Sequence, residues 1–209
     1  MIPTRYRIAT ALALLLAVSG ASAAGDDPHA KHRAMMQQKS DSEAERADID
    51  LRDRPLLNQD GEEVMFVSDV IGDNIVVMDF VYTTCTTICP VLSALFTQVQ
   101  IKLGDTVGED VLLVSMTVDP IRDTPQRLKA YSAKHRAGEG WVWLTGPKSI
   151  VEDVLTGVGA YTTNFEDHPS MVLIGDGQSG EWRRLFGFPN PDRIVQVVNE
   201  MRELRNSGG

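Results

Sequence analysis

Two stretches of the chain are apolar almost without interruption: residues 74–82, Asn-Ile-Val-Val-Met-Asp-Phe-Val-Tyr, and residues 111–118, Val-Leu-Leu-Val-Ser-Met-Thr-Val. Runs of that length, rich in β-branched side chains, predict strands buried on both faces. Between them the apolar spacing lengthens to three and four. Leu92, Leu95, Phe96, Val99 and Leu103 predict a helix starting near Cys89 and Pro90, because proline suits a first turn, where its missing N–H would be unpaired anyway. After the second strand Asp119-Pro120 ends the run. Thr124-Pro125 reads as the cap and first position of a helix reaching Lys134. Residues 141–144 predict a short strand, and Ile150, Val151, Val154, Leu155 and Val158 a helix after Pro147.

Two hairpins frame this middle section. One is expected at residues 54–57 and 64–67, turning at Asn58-Gln59-Asp60-Gly61; the other at 170–175 and 182–186, turning at Gly175-Asp-Gly-Gln-Ser-Gly180. Asn190-Pro191 then opens a final helix with Ile194, Val197, Val198, Met201 and Leu204 inside. The β-α-β-α alternation requires parallel strands joined by right-handed crossovers, and the closing hairpin adds antiparallel ones. The expected fold class is α/β: a central mixed sheet flanked by helices, thioredoxin-like, with an N-terminal hairpin and insertions.

The first 46 residues carry neither rhythm. Arg5 and Arg7 precede an apolar run at 8–18 and the small triplet Ala21-Ser22-Ala23, the order of a secretory signal peptide over residues 1–23. That run is about half of the ~20 residues a membrane span needs, and no cysteine stands at the cleavage point to carry a lipid. Export is expected, to a periplasm, with membrane anchoring disfavoured. Residues 24–46 are polar and nearly free of large aliphatic side chains, so they are expected to form a flexible lead. Residues 47–206 remain as one domain of ordinary size.

Without Arg5 and Arg7 the chain holds 18 basic and 29 acidic residues, a formal charge of −11. Such a surface repels phosphate backbones and excludes nucleic acid as an expected partner. The 209 residues include only two cysteines, Cys85 and Cys89. A bridge between positions four apart closes almost no loop and stabilises a fold very little. The pair is therefore read as chemistry. It lies where a buried strand meets a helix start, and unpaired N–H groups with the positive helix end favour a thiolate there. A thiolate is both the nucleophile of disulfide exchange and a soft ligand for copper(I). One helical turn apart, the sulfurs can bridge or hold one ion, and spacing does not choose between these outcomes.

Three segments in order resemble the SCO/SenC family of cytochrome oxidase assembly proteins. Val81-Tyr-Thr-Thr-Cys-Thr-Thr-Ile-Cys-Pro90 is similar to its strand leading to C-x-x-x-C-P. Ser115-Met-Thr-Val-Asp-Pro-Ile-Arg-Asp-Thr124 is similar to its S-x-D-P-x-R-D-T element, with one residue more before the Asp. Asp167-His168, ahead of Met171-Val-Leu-Ile174, matches its D-H element. Together they span nearly all of residues 50–205. The resemblance implies a copper site of Cys85, Cys89 and His168, one Cu(I) or Cu(II) ion per chain. Two thiolates and an imidazole suit copper, whereas a closed structural zinc site normally takes four ligands. Thr86 replaces the proline many members carry after the first cysteine. Pro169 falls where thioredoxin-like proteins keep a cis-proline, so a cis His168–Pro169 bond is expected.

Other residues carry a bland reading beside a sharp one. Asp119 is either a turn residue or a carboxylate behind the metal-bound His168. Arg122 and Asp123 are expected to pair with each other, and His135 to lie on the surface. Trp141 and Trp143 are expected to pack in the core and at an edge. His29, His32, Met35 and Met36 are read as part of a solvated tail, with a weak accessory copper site as the alternative; truncation before Ser40 is expected to leave one tight copper.

Two functions fit this reading. The first is a metallochaperone delivering copper by thiolate exchange to the copper A subunit of cytochrome c oxidase. The second is a thiol–disulfide oxidoreductase reducing the copper A cysteines, with Cys85 and Cys89 as its redox pair; beyond that activity the chain is not expected to be a classical enzyme. Other periplasmic copper carriers or thiol reductants are further partners, and a monomer is expected. A peroxide-reducing enzyme ranks low, because no arginine accompanies the cysteines in residues 83–90.

Overall fold

A computed structural model describes residues 43–207. The expected signal peptide and nearly all of the expected N-terminal lead lie outside the described residues. Six strands form the central sheet: β1 (Glu45–Arg46), β4 (Ile75–Val81), β5 (Val111–Thr117), β6 (Trp141–Leu144), β7 (Met171–Asp176) and β8 (Trp182–Phe186). Their order is β1-β8-β7-β4-β5-β6. β4, β5 and β6 are parallel, while β7, β8 and β1 add on antiparallel. A separate hairpin pairs β2 (Pro55–Leu57) with β3 (Glu63–Met65). The helices are α1 (Ile88–Leu103), α2 (Pro125–Lys134), α3 (Lys148–Gly157) and α4 (Pro191–Ser207). No described helix is long and apolar enough to cross a membrane.

The unbroken apolar run of β4 is explained by its central place. Val76, Met78 and Phe80 face a cluster that includes Val151, Val154 and Leu155 of α3. Ile75, Val77 and Val81 face the opposite cluster, with Leu92, Phe96 and Val99 of α1 and Ile194, Val197 and Val198 of α4. Every residue of β4 is buried, as a parallel strand covered on both faces must be. Trp141 and Trp143 stack at 5.2 Å and are both buried, on the strand that closes one edge of the sheet. Thr124 caps α2 by accepting from the Arg127 N–H at 3.4 Å.

The structure departs from the sequence reading in two places. Phe66 and Val67 do not extend the first hairpin; residues Phe66–Ile71 wind into a helical turn. Asp53 accepts from the Val67 and Ser68 N–H groups at 2.8 and 3.2 Å, supplying partners that a strand would have drawn from a neighbour. Glu45 and Arg46, assigned above to the lead, pair with Arg184 and Arg183 and give the sheet its edge. A short 3-10 turn, Phe165–Asp167, precedes His168.

α3 closes against the chain just before β2. The Asp50 N–H donates to the Gly157 carbonyl at 3.0 Å. A Cβ at Gly157 would stand 2.1 Å from the Asp50 carbonyl oxygen. Because that obstacle is backbone, Gly157→Ala is expected to cost about 1–3 kcal/mol, as overpacking does. A denaturant midpoint unchanged from wild type would refute this.

Candidate functional site

β4 ends at Val81, and the chain turns before α1 begins. The Cys85 N–H donates to the Tyr82 carbonyl at 3.1 Å, which folds the loop back on itself. Cys85 therefore sits under the first turn of α1, and the Cys89 N–H points at its sulfur, 3.4 Å away. The structure thus brings the two cysteines together. Both are free thiols, and both are buried: Cys85 is 6% exposed and Cys89 1%. Cys85 is the outer of the two.

The two sulfurs are electrostatically unequal. Burial pushes the Cys85 thiol up, but hydrogen bonds outweigh it: the N–H groups of Cys89 and Thr87, the Cys89 thiol and the Tyr82 hydroxyl bring Cys85 down to about 6. Burial also pushes Cys89 up, well above the ordinary thiol range, and the neighbouring Cys85 and Asp79 add to the rise. At neutral pH Cys85 is a thiolate and Cys89 a thiol. Alkylation of Cys85 in the reduced protein should therefore rise with pH through a midpoint near 6, with Cys89 unreactive over that range. Tyr82→Phe removes a donor to the thiolate and should move the midpoint upward. A wild-type midpoint above 8 would contradict this arrangement.

His168 follows the 3-10 turn, and its N–H donates to the Phe165 carbonyl at 3.3 Å. It is 5% exposed, and neither ring nitrogen has a hydrogen-bond partner. Burial holds its pKa below the usual imidazole range, so the ring is neutral and its lone pair free. Tyr82 stands between it and the cysteines: the Tyr82 ring meets His168 edge-on at 5.9 Å and Phe165 at 5.1 Å. Among the described residues no three His, Cys, Asp or Glu side chains stand close enough to form a ready-made metal cluster. The imidazole would have to move toward the sulfurs to complete one.

Several expectations change here. There is no cis peptide bond among the described residues, so His168–Pro169 is trans, and His168 enters it with an extended backbone (φ −60°, ψ 139°). Asp119 does not back His168. It is buried but committed to Arg122, at 2.8 Å, while its own N–H donates to the Thr117 hydroxyl. Arg122 accordingly pairs with Asp119 rather than Asp123, and its guanidinium lies 5.4 Å from the Phe165 ring centre. His135 is half-buried against the Tyr131 ring, 4.9 Å away.

The sequence reading gave three residues no part in the site. Tyr82 is one. Asp123 is another: its carboxylate accepts from the Thr83 N–H at 3.1 Å and from the hydroxyls of Thr83 (2.5 Å) and Thr117 (2.7 Å), tying the cysteine loop to the β5–α2 loop. The third is Asp79, the one acid in β4. It accepts from the Ser115 hydroxyl at 2.6 Å, its second oxygen has no partner, and burial raises its pKa to about 7. An acid inside an otherwise apolar seven-residue strand was the visible signal.

The SCO1/SenC family profile matches residues 42–202. The chain belongs to the SCO1/SenC family. Among the family's curated members, the SCO1 protein homologue of Bacillus subtilis is 38% identical over 90 residues, which is 43% of this chain and 45% of that relative. The alignment thus covers less than half of the relative's length. The solved structure of BsSco, described as a member of the Sco family of cytochrome c oxidase assembly proteins, superposes with a TM-score of 0.63 at 27% identity over 75% of this chain and 95% of its own. Arabidopsis thaliana ScoI, solved with copper bound, gives 0.59 at 23% identity over 71% and 95%. The thioredoxin-like α/β fold inferred from the order of elements is the fold of this family.

Proposed function

We propose that this protein binds one copper ion through Cys85, Cys89 and His168 and passes it by thiolate exchange to the copper A site of cytochrome c oxidase. The observation that carries this reading is His168. A buried neutral imidazole with both nitrogens unpaired costs about 1–3 kcal/mol per unsatisfied group. A metal bond would relieve it, and two soft sulfur donors lie beyond a single ring. The relatives' descriptions support copper as the cargo and oxidase assembly as the setting: the Arabidopsis structure holds copper, and BsSco is described as an oxidase assembly protein. The leader expected at residues 1–23 supports a periplasmic setting.

In transfer, copper keeps its oxidation state. The bonds to Cys85, Cys89 and His168 break as bonds to the recipient's ligands form, and the released Cys89 sulfur takes up a proton that a recipient thiol gives up on binding the ion. Three ligands leave an incoming thiolate room to attack. The test is to titrate the reduced mature protein with copper, then mix it with the apo copper A domain. One tightly bound equivalent with a thiolate-to-copper charge-transfer band, lost as the copper A spectrum grows, is the expected result.

The inequality of the sulfurs supports a second reading. A Cys85 thiolate can attack a partner disulfide, and Cys89, after losing its proton, can resolve the mixed disulfide. The partner leaves as a dithiol and Cys85–Cys89 as a disulfide. Absence of tight copper, with rapid formation of that disulfide, would establish this reading and overturn the first.

A further inference from the structure

The charges of this chain are unevenly placed. It carries 29 acidic residues, yet none falls in residues 80–101 or 124–138. The first stretch holds the cysteine loop and nearly all of α1, and it has no Lys or Arg either. The second is α2 with its cap and the turn that follows, and it holds Arg127, Lys129, Lys134 and Arg136. The two helices lie side by side. The Thr97 hydroxyl of α1 donates to the His135 carbonyl at 3.0 Å, and the Gln100 amide to the Arg136 carbonyl at 3.2 Å. A shallow groove between them is lined by Ala94, Thr97, Gln98, Lys134, His135 and Arg136, without an acid. An acidic protein thus presents a cationic face, and that face begins one turn beyond Cys89.

Local structure does not account for these cations. Basic side chains suit the C-terminal end of a helix, which explains Lys134, but the first turn of a helix favours acids. α2 has no acid in its first turn and carries Arg127 there. Arg127, Lys134 and Arg136 form no ion pair among the described residues, whereas Lys129 pairs with Asp60 at 2.6 Å. Arg136 also holds a left-handed backbone, with φ 54°; no other non-glycine residue described has a positive φ. That position after a helix normally falls to glycine, because a Cβ is strained there. Gln100 fixes the turn, since its side-chain oxygen also accepts from the Gly138 N–H at 2.8 Å. A charge is therefore kept where glycine would fold more easily.

The face adjoins the copper site. Arg127 lies four residues after Asp123, whose carboxylate ties Thr83 and the cysteine loop to the start of α2. Arg127 and Lys134 are seven residues apart, on one side of α2 and about 10 Å along it. On α1, Val91 is 53% exposed two residues past Cys89. An uncharged, partly apolar centre with a charged rim is the anatomy of a protein docking site. The exposed neighbours of the cations on α2, Gln126, Ala130 and Ala133, offer no large apolar group to insert into a bilayer.

We propose that this face docks an acidic surface patch on the protein that receives copper. The identity of the partner rests on the chaperone reading above, but docking and transfer are separate observables. Opposite charge steers the two surfaces together and sets their register, so that the partner's ligands arrive at Cys85.

The test follows the binding of the full mature protein to the apo copper A domain, and copper transfer to it, at about 20 mM and about 500 mM salt. At low salt R127E/K134E/R136E should associate at least about tenfold more slowly than wild type, and the two should converge at high salt. Its copper affinity at high salt should equal that of wild type. R136G removes a charge and relieves the left-handed strain together. It should melt no lower than wild type yet associate about threefold more slowly at low salt, a combination that a merely structural role does not produce. Wild-type association that ignores salt, variants that associate as fast as wild type, or no binding at all overturns the docking face. Copper transferred equally fast by wild type and R127E/K134E/R136E does so too, and keeps the chaperone reading. Salt-dependent binding without copper transfer sinks the chaperone reading and keeps the docking face. Phosphatidylglycerol vesicles are the counter-probe: if they retain wild type but not the triple variant, while the copper A domain binds neither, the face serves a lipid surface and the proposal fails.

Discussion

His168→Ala should weaken copper binding by more than about 100-fold while leaving Cys85 reactive. Losing a group behind a metal ligand typically costs 10–100-fold in affinity, and His168 is proposed as a ligand itself. The thiolate should survive, because its hydrogen-bond donors are the Cys89 and Thr87 N–H groups and the Tyr82 hydroxyl, none of which depends on the imidazole. Alkylation kinetics and exchange with a small disulfide should therefore match wild type. Stability gives a second, independent readout. Truncating a buried side chain usually costs a few kcal/mol through the cavity it leaves, but here the truncation also removes two unpaired buried nitrogens. The metal-free variant should therefore melt close to wild type. Copper should raise the melting temperature of wild type by linkage and leave that of the variant almost unmoved. If His168→Ala binds copper as tightly as wild type, the ligand set is wrong, whichever function the protein has.

Asp123→Ala should be the most damaging single substitution near the site that touches neither cysteine. It strips partners from the Thr83 N–H and from the hydroxyls of Thr83 and Thr117 in an interior where Asp123 is 1% exposed. Unpaired buried donors of this kind cost about 1–3 kcal/mol each, and partial relaxation should leave a net loss of roughly 2–4 kcal/mol. The effect should reach the chemistry as well. Thr83 stands two residues before Cys85, so releasing it frees the loop that aims the thiolate at the Cys89 N–H. The midpoint for Cys85 alkylation should move above 6, and copper affinity should fall with it. Asp123→Asn keeps one acceptor oxygen and should recover part of both losses. Equal stability of Asp123→Ala and wild type in a denaturant titration would show that the two loops are held together by something else.

These expectations rest on contacts of two kinds, and only one kind was legible in the sequence. The strands at 75–81 and 111–117, the helix opened by Pro90 and the helix capped by Thr124 follow from periodicity and end signals, which are local. So does the placement of Cys85 in a strand-to-helix loop. The motifs carried the family, and with it the three residues proposed to hold copper. What the sequence could not decide was pairing between segments far apart. The choice of Asp119 rather than Asp123 as the partner of Arg122 depends on how the β5–α2 loop turns once Thr83 and Thr117 approach it. Phe66 and Val67 read equally well as strand, and the Asp53 carboxylate turned them into helix. Glu45 and Arg46 carry no strand pattern; they order because β8 leaves an open row of hydrogen-bonding groups beside them. The unequal thiols are likewise a tertiary property, since two N–H groups, one hydroxyl and the depth of burial separate two residues that the sequence shows as equals.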